Sequence, residues 1–268
     1  SSSAASDVYK RQVDERSGMR TWRGVPFGAT TAGTGRFRAP QPAQRWQGLY
    51  DASRFAPPAM QGTFGWRDMV IGTEDCLTLD IVRPDTDEEL PVVVYFHGGT
   101  FVTGASHEKV LQGHMLADAT QVVYVSVNFR LGVLGYLDFR SLGHDCVATP
   151  ALLDQILALE WVRDNIAAFG GNPNRVTIMG ESAGGAAVVH LMCAPGARGL
   201  FHGAVAQSPP PASVHSRLQA AMWVRELVTR MGLPRTTTLA DLRTTNAEDL
   251  VRAGQSMLRN TKELVQLN

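Results

Sequence analysis

Three observations predict an α/β fold with a mainly parallel sheet and helices on both of its faces. Short runs rich in β-branched residues recur along the chain, each bounded by turn residues. Amphipathic segments of helix length lie between them. The runs are apolar throughout rather than alternating, as strands covered on both faces require.

The elements follow in order. Residues 13–61 are rich in Gly, Pro, Arg and aromatics, as in "TWRGVPFGATTAGTGRFRAPQPAQRWQG", and predict short strands and ordered loops. After Cys76 the pattern changes. Strands are expected at "LTLDIV" (77–82), "PVVVYF" (91–96), "VVYVSV" (122–127), "RVTIM" (175–179) and "GAVAQS" (203–208). A helix is expected over 150–169, with Leu152, Ile156, Leu159 and Val162 on one stripe. Pro150 suits its first turn, and Gly170-Gly171 ends it. Further helices are expected over 186–193 and 214–231, and the last forty residues read as polar-faced helix. The first twelve residues, "SSSAASDVYKRQ", lack an apolar core segment and read as a non-native or disordered tail, which leaves 13–268 for the fold.

Composition narrows the function. The chain has 268 residues, 44% hydrophobic and 19% charged, with a formal net charge of zero. Nothing steers it toward nucleic acid or an anionic membrane. Its longest apolar runs are strand-length, too short to span a bilayer. Cys76, Cys146 and Cys193 have no metal-like spacing and are too few for a disulfide scaffold, so no metal and no organic cofactor is expected.

One short stretch carries chemistry. "VTIMGESAGG" (176–185) ends a buried-strand pattern and opens a helix pattern, with Gly180-Glu181-Ser182-Ala183-Gly184 at the junction. Gly-x-Ser-x-Gly alone is unspecific. Between a strand and a helix it predicts a nucleophile elbow: Gly180 and Gly184 keep the turn tight, and the hydroxyl of Ser182 is lifted into a cleft. The helix N-terminus beneath it favours developing negative charge. The plainer alternative is that Ser182 is a helix N-cap. A second element stands at an earlier strand end. "VVVYFHGGTFVTG" (92–104) places His97-Gly98-Gly99-Thr100 where backbone N–H groups can turn toward a substrate oxygen. Such a loop forms an oxyanion hole together with the N–H of the residue after the nucleophile, Ala183.

These stretches, with "WRGVPFG", "GRFRAPQP", "EDCLTLDIVRP", "VSVNFRLGVLGYL", "DNIAAFGGNPNRVTIMGESAGG" and "GLFHGAVAQS", resemble the type-B carboxylesterases, the α/β-hydrolase branch that includes carboxylesterases and cholinesterases. The resemblance covers residues 22–208. It implies an α/β-hydrolase fold and a serine hydrolase of small-molecule carboxylic esters. Ser182 would form an acyl-enzyme, a His would take its proton, and an acidic residue would orient that His. The oxyanion donors carried over are the N–H groups of Gly99, Thr100 and Ala183, with Gly98 shaping the turn and Glu181 beside the pocket. Trp66, ten residues before Cys76, stands at the spacing of the cholinesterase aromatic that receives cationic substrates, and so is a possible gorge residue.

The chain departs from that pattern. The family's acid and base lie far downstream of the nucleophile, yet only residues 183–268 follow Ser182. None of His97, His107, His114, His144, His190, His202 and His215 makes a good base. Glu74 and Asp75 read as structural, and Asp154 as a helix-surface residue or cap partner. Residues 13–268 are therefore expected to be the N-terminal part of a single catalytic domain, without its acid and His. Thr100 stands where the family usually has a third Gly. Cys76 matches a cysteine that secreted members pair upstream, but residues 1–75 contain no Cys. Cys76 then reads as a small buried hydrophobe, and a reducing cytoplasm is the expected location. The alternative is a non-catalytic adhesion or binding relative, or an inactive fragment. Adhesion relatives lose the nucleophile or carry a membrane anchor, whereas Ser182 is present and no anchor is visible.

Overall fold

A computed structural model describes residues 9–10, 12–14, 18–63, 69–210 and 214–259. Its centre is a seven-stranded sheet: β1 (Gln12–Asp14), β2 (Met19–Pro26), β3 (Thr78–Pro84), β4 (Leu90–Phe96), β5 (Val123–Val127), β6 (Gly171–Glu181) and β7 (Gly203–Gln207). The spatial order is β7-β6-β4-β5-β3-β2-β1. The pairs β7–β6, β6–β4 and β4–β5 are parallel, and β5–β3, β3–β2 and β2–β1 are antiparallel. Strands β7, β6, β4, β5 and β2 thus run one way, with β3 and β1 opposed. Tyr9–Lys10, within the expected tail, pair with Tyr50–Asp51, while residues 1–8 and 11 lie outside the described residues.

Burial on both faces explains the apolar runs. Along β4, Val92, Val94 and Phe96 enter one core with Val125, Val176 and Ile178. Helices α3 (Pro150–Asn165) and α4 (Ala183–Cys193) cover that face through Ala158, Val162, Val188 and Leu191. The intervening Val93 and Tyr95 turn to the opposite face, where Tyr124, Val82 and Ala117 of α1 (His114–Thr120) pack. A third core joins the short helix α2 (Gly132–Gly135) to α5 (Arg217–Arg230), α6 (Leu239–Thr244) and α7 (Ala247–Arg259), through Leu134, Val224, Leu227, Leu242 and Leu250. Capping sets two starts in this last region. Ser216 Oγ accepts the Gln219 N–H at the head of α5, and Thr238 with Asp241 forms a capping box at α6.

The differences from expectation have physical causes. Helix α3 ends at Asn165, and Ile166–Phe169 tighten into a 3₁₀ turn before the left-handed Gly170. Asp154 is not on the helix surface. It is fully buried, and its carboxylate accepts Arg130 Nε at 2.8 Å and Nη2 at 2.6 Å. A buried charge persists only with such a partner, and Arg130 reaches it from the turn after β5. Strand β7 forms an edge of the sheet and is exposed from Ala204 to Gln207.

Candidate active site

The parallel strands end in register. Phe96 pairs with Gly180 and with Val127, and Gly180 with Ala206. At such carboxyl ends the chain must leave the sheet, and that is where an open α/β sheet offers a crevice. β6 leaves through Ser182, whose φ of 55° and ψ of −120° are costly for a residue with a Cβ. Ser182 N–H donates to Gln207 O at 2.9 Å, and Ser182 O accepts the Ala186 N–H at 2.9 Å, so the turn is held on both sides.

The glycines are sterically required there. A Cβ on Gly180 would overlap the Gly184 backbone, and one on Gly184 would overlap Phe96 O. A Cβ on Gly98 would lie 3.5 Å from Ser182 Cβ, so the loop after β4 sits directly against the elbow. Ser182 occupies the N-cap position of α4, yet its side chain caps nothing. Among the described residues its hydroxyl has no hydrogen-bond partner. The capping reading of this residue therefore fails.

The loop is fixed from behind. His97 is 2% exposed, stacks on Phe129 with centroids 4.4 Å apart, and places Nδ1 2.8 Å from Gly98 O. Since a carbonyl can only accept, Nδ1 carries the proton. Burial depresses the pKa of the ring to about 4, so it is neutral at ordinary pH. Gly99 O accepts the N–H groups of Val102 and Thr103, each at 3.0 Å, and the Thr103 hydroxyl at 3.2 Å. In a trans peptide the C=O and the following N–H point opposite ways. Holding Gly98 O and Gly99 O thus aims the N–H groups of Gly99 and Thr100 to the other side of the loop. Gly99, Thr100 and Phe101 all have positive φ, at 110°, 54° and 64°. Thr100, whose side chain is exposed, holds a left-handed conformation natural to Gly. Ala183, the first residue of α4, is buried and its N–H has no intrahelical acceptor.

The other residues singled out are dispersed. Glu181 is exposed at the end of β6. Trp66 lies outside the described residues. Glu74 is structural, accepting Arg36 Nε at 2.7 Å and Nη2 at 2.6 Å. Cys76 is buried and burial drives its thiol pKa far up, as a small core hydrophobe requires; all three cysteines are free. His107 stacks on Phe55, His202 Nδ1 accepts the Val176 N–H, His215 packs on Trp223, and His144 is exposed. An apolar cavity of about 220 Å³ lies beside the loop, lined by Phe101, Val102, Leu131, Tyr136, Trp223 and Val251 among others. Among the described residues no group of three or more His, Cys, Asp or Glu could hold a metal ion, and no helix is long and apolar enough to cross a membrane.

An elbow whose hydroxyl has no hydrogen-bond partner among the described residues, a loop of aimed N–H groups and a helix N-terminus thus lie together at the strand ends. A profile of the carboxylesterase family matches residues 8–267. The chain belongs to the carboxylesterase family. It is 36% identical over 251 residues to the para-nitrobenzyl esterase of Bacillus subtilis (strain 168), covering 92% of this chain and 51% of that protein. It is 40% identical over 201 residues to the phenmedipham hydrolase of Pseudarthrobacter oxydans, covering 72% and 40%. A solved PNB esterase superposes with a TM-score of 0.84 at 35% identity, over 93% of this chain and 52% of that one. The α/β-hydrolase fold expected from the resemblance is thus the fold observed, and the chain spans 40% to about half of the length of these relatives.

Proposed function

We propose that the whole protein hydrolyses small-molecule carboxylic esters through Ser182, and that this chain contributes the nucleophile and the oxyanion hole. The observation that carries the reading is the Ser182 hydroxyl, presented on a strained elbow and without a hydrogen-bond partner among the described residues. In the proposed sequence, Ser182 Oγ attacks the ester carbonyl carbon as its proton passes to a His. The oxyanion takes hydrogen bonds from the N–H groups of Gly99, Thr100 and Ala183, and the alcohol leaves with the proton. Water then attacks the acyl-enzyme and releases the acid. A lone serine hydroxyl is a poor nucleophile, and among the described residues no His hydrogen-bonds the Ser182 hydroxyl. The acid and the His are assigned to the part of the relatives' length that this chain does not span, whose strands would pair with the exposed edge of β7. The cavity beside Phe101 favours an ester with a hydrophobic acyl or alcohol group. Trp66 is retained as a gorge residue for cationic alcohols, and three free thiols fit a reducing cytoplasm.

The test uses the complete gene product. Fluorophosphonate labelling should map to Ser182, and Ser182→Ala should abolish both labelling and ester turnover while leaving the thermal midpoint unchanged. Turnover that survives Ser182→Ala would remove the proposal.

A further inference from the structure

The oxyanion loop is also held by a residue from elsewhere in the chain. Gln61 begins a two-residue strand (Gln61–Gly62) that pairs with Val70–Ile71, before the Glu74–Cys76 stretch and 43 residues from Gly104. Its side chain is 6% exposed and every polar atom of it is used. Gln61 Oε1 accepts the Gly104 N–H at 2.8 Å, and Nε2 donates to Gly104 O at 2.8 Å and to Ala59 O at 3.0 Å. The side-chain amide thus pairs with both polar groups of one residue, as a neighbouring strand would. Only one orientation of the amide satisfies three backbone groups at once.

Gly104 is where this grip reaches the site. Its φ is +119°, and a Cβ on it would overlap His97 Nδ1 and crowd Gly98 O at 2.7 Å. Gly104 is therefore packed against the imidazole–carbonyl contact that sets the Gly98–Gly99 peptide plane. It also follows Thr103, whose N–H and hydroxyl hold Gly99 O. Both peptide planes that carry the oxyanion donors end on atoms that Gly104 touches or adjoins.

We infer that Gln61 is a positioning residue for the oxyanion hole: by clamping Gly104 it holds the His97–Gly98 and Thr103–Gly99 contacts that aim the N–H groups of Gly99 and Thr100. The inference rests on the reading of those two groups as oxyanion donors. Gln61 touches no reacting atom. Its effect belongs to the transition state, because the donors must meet the oxygen where charge develops, and small misplacement there is costly.

Two variants separate positioning from bulk stability. Gln61→Met keeps the length and removes all three hydrogen bonds. Gln61→Glu keeps an acceptor for the Gly104 N–H. Its carboxylate repels Gly104 O and Ala59 O, but its protonated acid can donate to Gly104 O and restore the reciprocal pair. In the complete gene product, Gln61→Met should lower kcat by about tenfold or more, less than the 10²–10³-fold lost when a donor is removed outright, with KM within about threefold. Affinity for a trifluoromethyl ketone, which forms a tetrahedral oxyanion adduct, should fall by the same factor as kcat/KM. The activity of Gln61→Glu relative to the parent should rise as pH falls, whereas that of Gln61→Met should not. Hydrogen exchange of the Val102 and Thr103 amides, which donate to Gly99 O, should speed up in Gln61→Met. That last readout needs no turnover. If the parent protein proves inert toward esters while the exchange effect appears, the clamp stands and the esterase reading falls. Unchanged exchange in the loop, or a kcat loss with unchanged ketone affinity, would overturn the inference.

Discussion

Acidification offers a direct test of how the loop after β4 is supported. His97 is buried at 2% exposure, spends Nδ1–H on Gly98 O, stacks on Phe129 and leaves Nε2 without a partner among the described residues. A proton on Nε2 would create a buried charge with no acceptor. Desolvation accordingly lowers the pKa from its ordinary 6.5 to about 4; the Gly98 carbonyl opposes this and nearby His107 adds slightly to it. The sign follows from proton counting. Between pH 6.5 and 4 the unfolded chain holds a proton here that the folded chain does not, so folding stability is fully present above 6.5 and is lost as pH falls. At pH 4.5 the loss from this one group is on the order of 2–3 kcal/mol. The assay is urea unfolding of the parent and of His97→Gln at pH 7.0 and 4.5. The Gln variant retains an amide donor for Gly98 O and cannot titrate. It should be less stable at pH 7 through the lost ring stacking, yet lose on the order of 2–3 kcal/mol less than the parent on acidification. Equal acid losses in the two proteins would refute the neutral, buried His97.

Two further predictions follow from geometry. Asp154→Asn keeps the size of the side chain but leaves the Arg130 guanidinium buried at 3% exposure without its countercharge. Unfolding stability should fall by about 3–5 kcal/mol, read from the urea midpoint, and a loss below 1 kcal/mol would contradict the buried pair. Thr100→Gly removes a Cβ from a left-handed backbone at φ 54°, which should stabilise the fold by about 1 kcal/mol in the same assay and leave ester turnover by the complete protein within a few-fold of the parent.

The elements legible in the sequence were those governed by short-range constraints. A strand buried on both faces is mostly apolar, so β4, β5 and the end of β6 announced themselves in "PVVVYF", "VVYVSV" and "RVTIM". The elbow was legible for the same reason, since a turn this tight admits only Gly at 180 and 184 and the motif spans five residues. What the sequence left undetermined depends on partners far along the chain. Asp154 looks like any helix carboxylate until Arg130, 24 residues earlier, is folded against it. Gln61 sits in an unremarkable stretch, and its amide has meaning only once Gly104 lies beside it. Arg36 likewise reaches Leu242 O, 206 residues away, from the Glu74 ion pair. Local sterics and hydrophobic period write themselves into adjacent residues. A buried polar group is satisfied by whichever partner the finished fold delivers, and so only the tertiary structure decided that Gln61 pairs with Gly104 behind the loop after β4.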